Sequence, residues 1–182
     1  MIKLNIGCGR RNFGEEWDHI DGSDYPHIKS HDIVNLPYDK NSVDLIYASH
    51  VFEYFDRDDA NDVLKNWKKV LKSGGTLRLA VPDFEACAKL YVNNEYPLSN
   101  FLGPFFGKWK MTEDKTIYHK TVYDYSDLKK VLENNGFDNI RKWDWKDVEH
   151  GKYDDYSQAY LPHMDKINGT LISLNIECKK SI

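Results

Sequence analysis

Cysteine is sparse in this chain of 182 residues: Cys8, Cys87 and Cys178 stand far apart and are odd in number. That pattern excludes a disulfide framework and a cysteine-paired metal centre, and no metal is expected. Basic runs are short and the formal charge is −4, which argues against a nucleic-acid backbone as the main partner. Lys65 to Lys72 and Lys108-Trp109-Lys110 read instead as a helix's polar face and a solvated loop. No apolar run approaches a membrane span and no leader precedes the first strand, so a soluble, reduced, cytoplasmic protein is expected. Neither repeats nor linkers divide the chain, and residues 1–182 are expected to form one domain. What is present suits a packed core: 41% hydrophobic residues, with 12 Tyr, 8 Phe and 5 Trp.

The amino terminus carries the most informative pattern. Lys3-Leu4-Asn5-Ile6 reads as a short apolar strand running into Gly7-Cys8-Gly9. Glycines there let the backbone turn sharply and bring bare peptide groups against a nucleotide-like ligand. A second strand, 17–20, delivers Asp21, whose carboxylate is placed to accept hydrogen bonds from both hydroxyls of a ribose. The third glycine of the dinucleotide fingerprint is missing, since Arg11 stands near its place. Only residues 10–16 separate the two strands, too few for a full helix.

Further along, short strands are expected at 28–31, 43–48 and 76–81. A helix over 58–72 is capped by Asp56, with Val63, Leu64, Trp67, Val70 and Leu71 on one face and Ser73-Gly74-Gly75 as its stop. A second helix covers 84–92, and a third covers 127–135 behind a Ser126 cap. Strands are expected at 137–145 and 170–178, the latter after a turn at Asn168-Gly169. Residues 93–120 show no period and hold Phe101, Phe105, Phe106 and Trp109, as a lid or substrate wall would. Alternating strands and helices imply an α/β three-layer Rossmann-like sandwich, and in such sheets ligands bind beyond the carboxyl ends of the strands. Gly7, Asp21, Asp32, Ser49-His50 and Asp83 all fall at those ends.

The order of these segments resembles the class I S-adenosylmethionine-dependent methyltransferases. Residues 4–9 resemble the family's first motif, Asp21 its ribose acid, and Asp32-Ile33 with Leu36-Pro37-Tyr38 its adenine-side segment. Residues 42–54 are similar to the stretch beneath the cofactor's methionine part, and residues 70–77 closely resemble the helix-to-strand junction before strand five. The resemblance implies a mostly parallel seven-stranded sheet with an antiparallel last strand. It implies S-adenosyl-L-methionine as cofactor, held by Asn5, Gly7, Cys8, Gly9, Asp21, Asp32, Ile33, Leu36, Ser49 and His50. The abrupt start and the ending at 169–177 look like small bacterial or phage methyltransferases associated with surface glycans. The implied acceptor is a small polar molecule, a sugar or other hydroxyl compound, capped by the 93–120 insert.

Methyl transfer to a hydroxyl needs a base. His50 and His119 are the catalytic candidates, with Glu53 one turn beyond His50. Each has a structural alternative: a local His50–Glu53 pair, a packed His119 in a tyrosine-rich loop, and Asp83 as a helix cap. His163 is expected at the surface. Arg10 or Arg11 is placed to pair with the cofactor's carboxylate or to serve as a solvated surface charge. Two other function classes fit the first two strands: a nicotinamide-dependent oxidoreductase, and a non-catalytic S-adenosylmethionine-binding module.

Overall fold

The computed structural model describes residues 1–111 and 113–181; Thr112, within the expected insert, and Ile182 lie outside the described residues. Apolar runs at the expected places form seven strands of one sheet: β1 (Lys3–Ile6), β2 (Asp18–Ile20), β3 (Ile28–Ser30), β4 (Val43–Ser49), β5 (Leu71–Pro82), β6 (Phe137–Lys142) and β7 (Ser173–Lys180). Their order is β3-β2-β1-β4-β5-β7-β6. The pairs are parallel except for β7, which runs antiparallel to both β5 and β6. Chain order reverses between β1 and β4, so the connections leaving these strands diverge and open a crevice at their carboxyl ends.

Side-chain parity divides the sheet into two unlike faces. Leu4, Ile6, Ile46, Ala48, Leu77, Leu79, Leu174 and Ile176 make one face apolar. Helix α1 (Asp59–Val70) covers it with Val63, Leu64, Trp67 and Val70. Helices α2 (Phe84–Val92) and α3 (Leu102–Phe106) follow, and α4 (Tyr125–Asn134) adds Leu128 and Leu132 to the same core. The opposite face carries Asn5, His19, Tyr47, Asn175 and Glu177, all buried. Its covering layer is mainly non-helical chain rather than helix. Residues 10–16 form no helix, as their length requires. Phe13, Trp17, Trp143 and Tyr153 pack there, with the Phe13 and Tyr153 rings stacked at 4.5 Å.

Polar groups of this second layer are satisfied over long sequence distances. The Tyr47 hydroxyl donates to Asp155 Oδ2 at 2.6 Å, and Asn175 Nδ2 donates to the Ser157 carbonyl at 2.9 Å. Glu177 on β7 joins Arg78 on β5 to Arg141 on β6.

Several boundaries differ from the sequence expectation. Helix α1 ends at Val70, because Leu71 is already extended and enters β5. Ser73-Gly74-Gly75 therefore lies in an irregularity of β5, between the Val43–Leu71 and Leu45–Thr76 pairings, where Gly74 takes φ +72°. Asp124 rather than Ser126 caps α4, accepting from the Asp127 amide at 2.8 Å, while Ser126 sits inside the first turn. Asp56 does cap the start of α1, accepting from the Asp58 and Asp59 amides. Thr170–Leu171 leaves the main sheet to pair with Tyr160–Leu161. The 93–120 segment is partly regular: it contains α3 and a ribbon of Trp109–Lys110 with Thr116–Ile117.

Candidate active site

The turn after β1 is built by two left-handed glycines, Gly7 at φ +67° and Gly9 at φ +54°. The Gly7 amide donates to the Ile20 carbonyl at 2.7 Å, tying the turn to β2. A Cβ on Gly7 would stand 2.0 Å from Val51 Cγ2, so no side chain fits there. Around a Cβ on Gly9 the nearest atom is Trp109 Cζ2 at 3.9 Å, which leaves bare backbone facing open space. Asp21, at the end of β2, braces this turn: Oδ2 accepts from the Gly9 amide at 2.8 Å and Oδ1 from the Ser23 amide at 2.7 Å. Each oxygen keeps a further lone pair for a ligand.

These groups open onto a cavity of about 600 Å³, a volume within the roughly 300–1,000 Å³ of small-molecule and cofactor sites. Gly7, Gly9, Asp21, Ile33, Ser49, His50 and His119 line it, so the structure brings together most of the residues expected there. Four expected cofactor residues do not line it. Asn5 faces the second side of the sheet, 2% exposed. Cys8 is turned beneath the glycines, 3.8 Å from His27 Nε2, and burial pushes its thiol up to about 12. Asp32 uses its carboxylate locally, accepting from the Asn35 and Val34 amides, and the Asn35 amide above all holds its carboxyl below the usual range. Leu36 packs into the helix-side core.

The cavity also gathers residues that the sequence left unassigned. Tyr156, Tyr160 and Met164 come from the aperiodic stretch before β7, and His163, expected at the surface, reaches the rim. Arg11 also lines it, lying 5.0 Å over the Tyr156 ring while its Nε donates to the Asp154 carbonyl at 2.8 Å. Asp83 is a helix cap: it accepts from the Ala86 amide at 3.1 Å.

At one wall of the cavity stands a His–Glu–His group. His50 follows β4 in a left-handed conformation, φ +53°, sparsely populated for a residue with a side chain. Its Nδ1 lies 3.3 Å from Glu53 Oε1, and His119 Nε2 lies 3.6 Å from the same oxygen. Glu53 is fully buried, and among the described residues neither carboxyl oxygen has an aligned hydrogen-bond donor. Among the described residues no group of His, Cys, Asp and Glu is arranged to hold a metal ion. Burial, then the neighbouring His119 and Arg11, depress His50 to about 3; burial raises Glu53 to about 8. His150, beneath the second layer, is likewise lowered to about 3, chiefly by burial.

These shifts have opposite consequences for stability. A depressed imidazole takes up its proton first in the unfolded chain, so its contribution is complete above 6.5 and lost as pH falls toward 3. Glu53 behaves in the reverse sense: the stability it withholds near pH 8 returns as pH falls toward 4.5. Lowering pH from 7 to 5 therefore removes stability through the depressed imidazoles of His19, His50, His119 and His150 and restores part of it through Glu53. Glu53→Gln abolishes the restoration, so over this pH drop the variant should lose about 2–3 kcal/mol more than the native chain. Urea denaturation at the two pH values measures it; equal losses would mean that Glu53 is ionised in the folded protein.

Comparison with known proteins agrees with this geometry. Residues 4–79 match the family model described as a methyltransferase domain. No curated protein matches the sequence. Among solved structures, the chain is similar to a SAM-dependent methyltransferase from Methanosarcina mazei, with TM-score 0.59 and 15% identity, covering 100% of this chain and 92% of that one. A SAM-dependent methyltransferase from Archaeoglobus fulgidus gives TM-score 0.58 and 16% identity, with 98% and 86% covered. The 1,6-didemethyltoxoflavin-N1-methyltransferase of Burkholderia thailandensis, solved with 1,6-didemethyltoxoflavin and S-adenosylhomocysteine bound, gives 0.57 and 10%, with 100% and 71% covered. At such identities the likeness is one of fold. The architecture is one shared with S-adenosylmethionine-dependent methyltransferases, and residues 4–79 resemble a methyltransferase domain.

Proposed function

We propose that the protein transfers the methyl group of S-adenosylmethionine to a hydroxyl of a small polar acceptor, a sugar in the first instance. The observation that carries this reading is the His50–Glu53–His119 group on the wall of the cavity that the glycine turn and Asp21 also line. The cofactor supplies an electrophilic methyl on a good leaving group, so the protein's work is to hold the acceptor within roughly 3–3.5 Å, exclude water and take one proton. Gly7 and Gly9 form the floor, Asp21 takes the ribose hydroxyls, and Ile33 borders the adenine. Ser49 and His50 flank the methyl donor, and the buried Ser49 hydroxyl has no hydrogen-bond partner among the described residues. Arg11 keeps its terminal N–H groups for the cofactor's carboxylate, since Nε is bonded to Asp154.

In this reading residues 93–120 cap the acceptor, with Asn100, Pro104 and Trp109 on the cavity wall. Aromatic faces of Trp109, Tyr156 and Tyr160 suit a sugar or another ring. Removal of the hydroxyl proton falls to the His50/His119 pair. The carboxylate that lines the cavity, Asp21, is at the cofactor end, and Glu53 is held neutral; this favours an uncharged acceptor over an ammonium one. Small bacterial or phage methyltransferases associated with surface glycans, working in the cytoplasm, are the setting we infer.

Calorimetry with S-adenosylhomocysteine tests the site. Asp21→Ala should weaken binding by roughly 1.5–3 kcal/mol, about 10- to 150-fold, as loss of charge-assisted hydrogen bonds does. An unchanged affinity removes Asp21 from the cofactor site. Binding by the native chain without methyl transfer to a panel of sugars and other hydroxyl compounds would favour a non-catalytic binding module.

A further inference from the structure

Asp155 and Glu177 are buried carboxylates with evident partners: Tyr47 and the Ser157 amide for the first, two arginines for the second. Glu53 has none of these, and its Oε1 is aimed between two imidazole rings. The surrounding hydrogen bonds determine where the protons of those rings sit. Asn175 Nδ2 donates to the Ser157 carbonyl, so Asn175 Oδ1 is an acceptor, and the Ser173 hydroxyl donates to it at 2.9 Å. With its one proton so used, Ser173 Oγ can only accept from His50 Nε2, 3.3 Å away. His50 therefore carries its hydrogen on Nε2 and presents a lone pair on Nδ1 to Glu53.

His119 is the mirror case. Its Nδ1 donates to the Pro104 carbonyl at 2.9 Å, which leaves the lone pair on Nε2. Gly107 lies directly against that atom: a Cβ there would stand 2.5 Å from Nε2, and Gly107 has none. Both residues line the cavity. One carboxyl oxygen thus faces two imidazole lone pairs, an arrangement that an ionised carboxylate would make repulsive and that a single carboxyl hydrogen satisfies on one side.

We propose that Glu53 is a positioning residue that gives the two histidines different tasks. Its carboxyl hydrogen engages His50 Nδ1, the nearer lone pair, and locks that ring between Glu53 and Ser173. His119 Nε2 is then the imidazole nitrogen left to receive the acceptor's proton. This rests on the reading of these histidines as the base pair. In the transfer the acceptor O–H bond breaks, an O–CH3 bond forms as the C–S bond breaks, the C–S electron pair stays on sulfur, and the proton ends on His119 Nε2.

Groups facing this centre come from several segments. Tyr54 is on the same turn, Tyr123 approaches from just beyond the insert, and Arg11 and Tyr156 face His50. Lys120 donates its amide to the Glu53 carbonyl but turns its ammonium to Asp56 and Asp59. The nearest lysine therefore does not neutralise the carboxyl.

The test is NMR of the full chain labelled with 15N-histidine and 13C-glutamate, recorded between pH 5 and 10 with and without S-adenosylhomocysteine. At pH 7 the expected spectrum has His50 with its hydrogen on Nε2, His119 with its hydrogen on Nδ1, and the Glu53 carboxyl protonated. Glu53→Gln, which keeps an N–H donor at the same place, should preserve the hydrogen bond to His50 Nδ1; Glu53→Leu should remove it and shift the Nδ1 resonance, while Ser173 keeps the ring hydrogen on Nε2. An ionised Glu53 at pH 7, a His119 hydrogen on Nε2, or an unchanged His50 signal in a folded Glu53→Leu protein overturns the proposal. If Glu53→Leu does not fold, the native spectrum alone decides. Expected tautomers with no response to S-adenosylhomocysteine would leave the positioning role standing and sink the cofactor-site reading instead.

Discussion

Gly7→Ala is expected to destabilise the fold by roughly 2–5 kcal/mol and to abolish S-adenosylhomocysteine binding, whereas Gly74→Ala should cost only about 1–2 kcal/mol. Both glycines occupy the left-handed region, at φ +67° and φ +72°. A methyl group on either incurs the left-handed penalty. Only at Gly7 does it also meet a neighbour, Val51 Cγ2 at 2.0 Å; around Gly74 nothing among the described residues lies within 4 Å. The difference between the two substitutions in urea denaturation therefore isolates the close approach of the glycine turn to the segment after β4. Adding Val51→Ala to Gly7→Ala should recover the steric part and leave the conformational part. Equal costs for the two glycines would mean that the turn yields without resistance.

A second large loss is expected on the far side of the sheet. Glu177→Ala should cost about 3–5 kcal/mol, the usual penalty for leaving a buried charge without its partner. Glu177 Oε2 accepts from Arg78 Nε at 3.0 Å, and Oε1 accepts from Arg141 Nη2 at 2.6 Å. The two arginines are not equivalent: the Arg78 side chain is 13% exposed and that of Arg141 73%. Truncating Glu177 leaves Arg78, beside His150 and Trp143, with only the longer 3.5 Å contact to the half-exposed Glu149, while Arg141 turns to water. Arg141→Ala should accordingly cost less than about 1 kcal/mol, as exposed pairs do. Thermal or urea unfolding of both variants measures the contrast; similar losses would place the energy in strand register rather than in the buried charge.

The parts of the site legible in the sequence are those made by local pattern. Gly7 and Gly9 announce a turn because left-handed backbone demands glycine, and Asp21 follows at the end of the next apolar run. His50 and Glu53 fall three apart after a buried strand, a spacing that brings side chains together on one turn. Boundaries were less legible, because glycine supports more than one structure: Ser73-Gly74-Gly75 suits a helix stop as well as the strand irregularity it forms. Asn5, Cys8, Asp32 and Leu36 do not line the cavity, for a related reason. Lying next to the ligand-facing turn in sequence does not say which way a side chain points, and strand parity sends Asn5 to the other face.

Periodicity and glycine placement were enough to indicate alternating strands and helices and the end of the sheet where the crevice opens, since each is a property of consecutive residues; the seven strands and the antiparallel last one followed only from the family resemblance. The second covering layer, the aromatic wall of Tyr156 and Tyr160, and the meeting of Glu53 with His119 were beyond that reach. They join segments such as Tyr47 and Asp155, 108 positions apart. No local repeat encodes such contacts; they exist because a missing helix leaves one face of the sheet bare and a distant stretch of chain has to bury it.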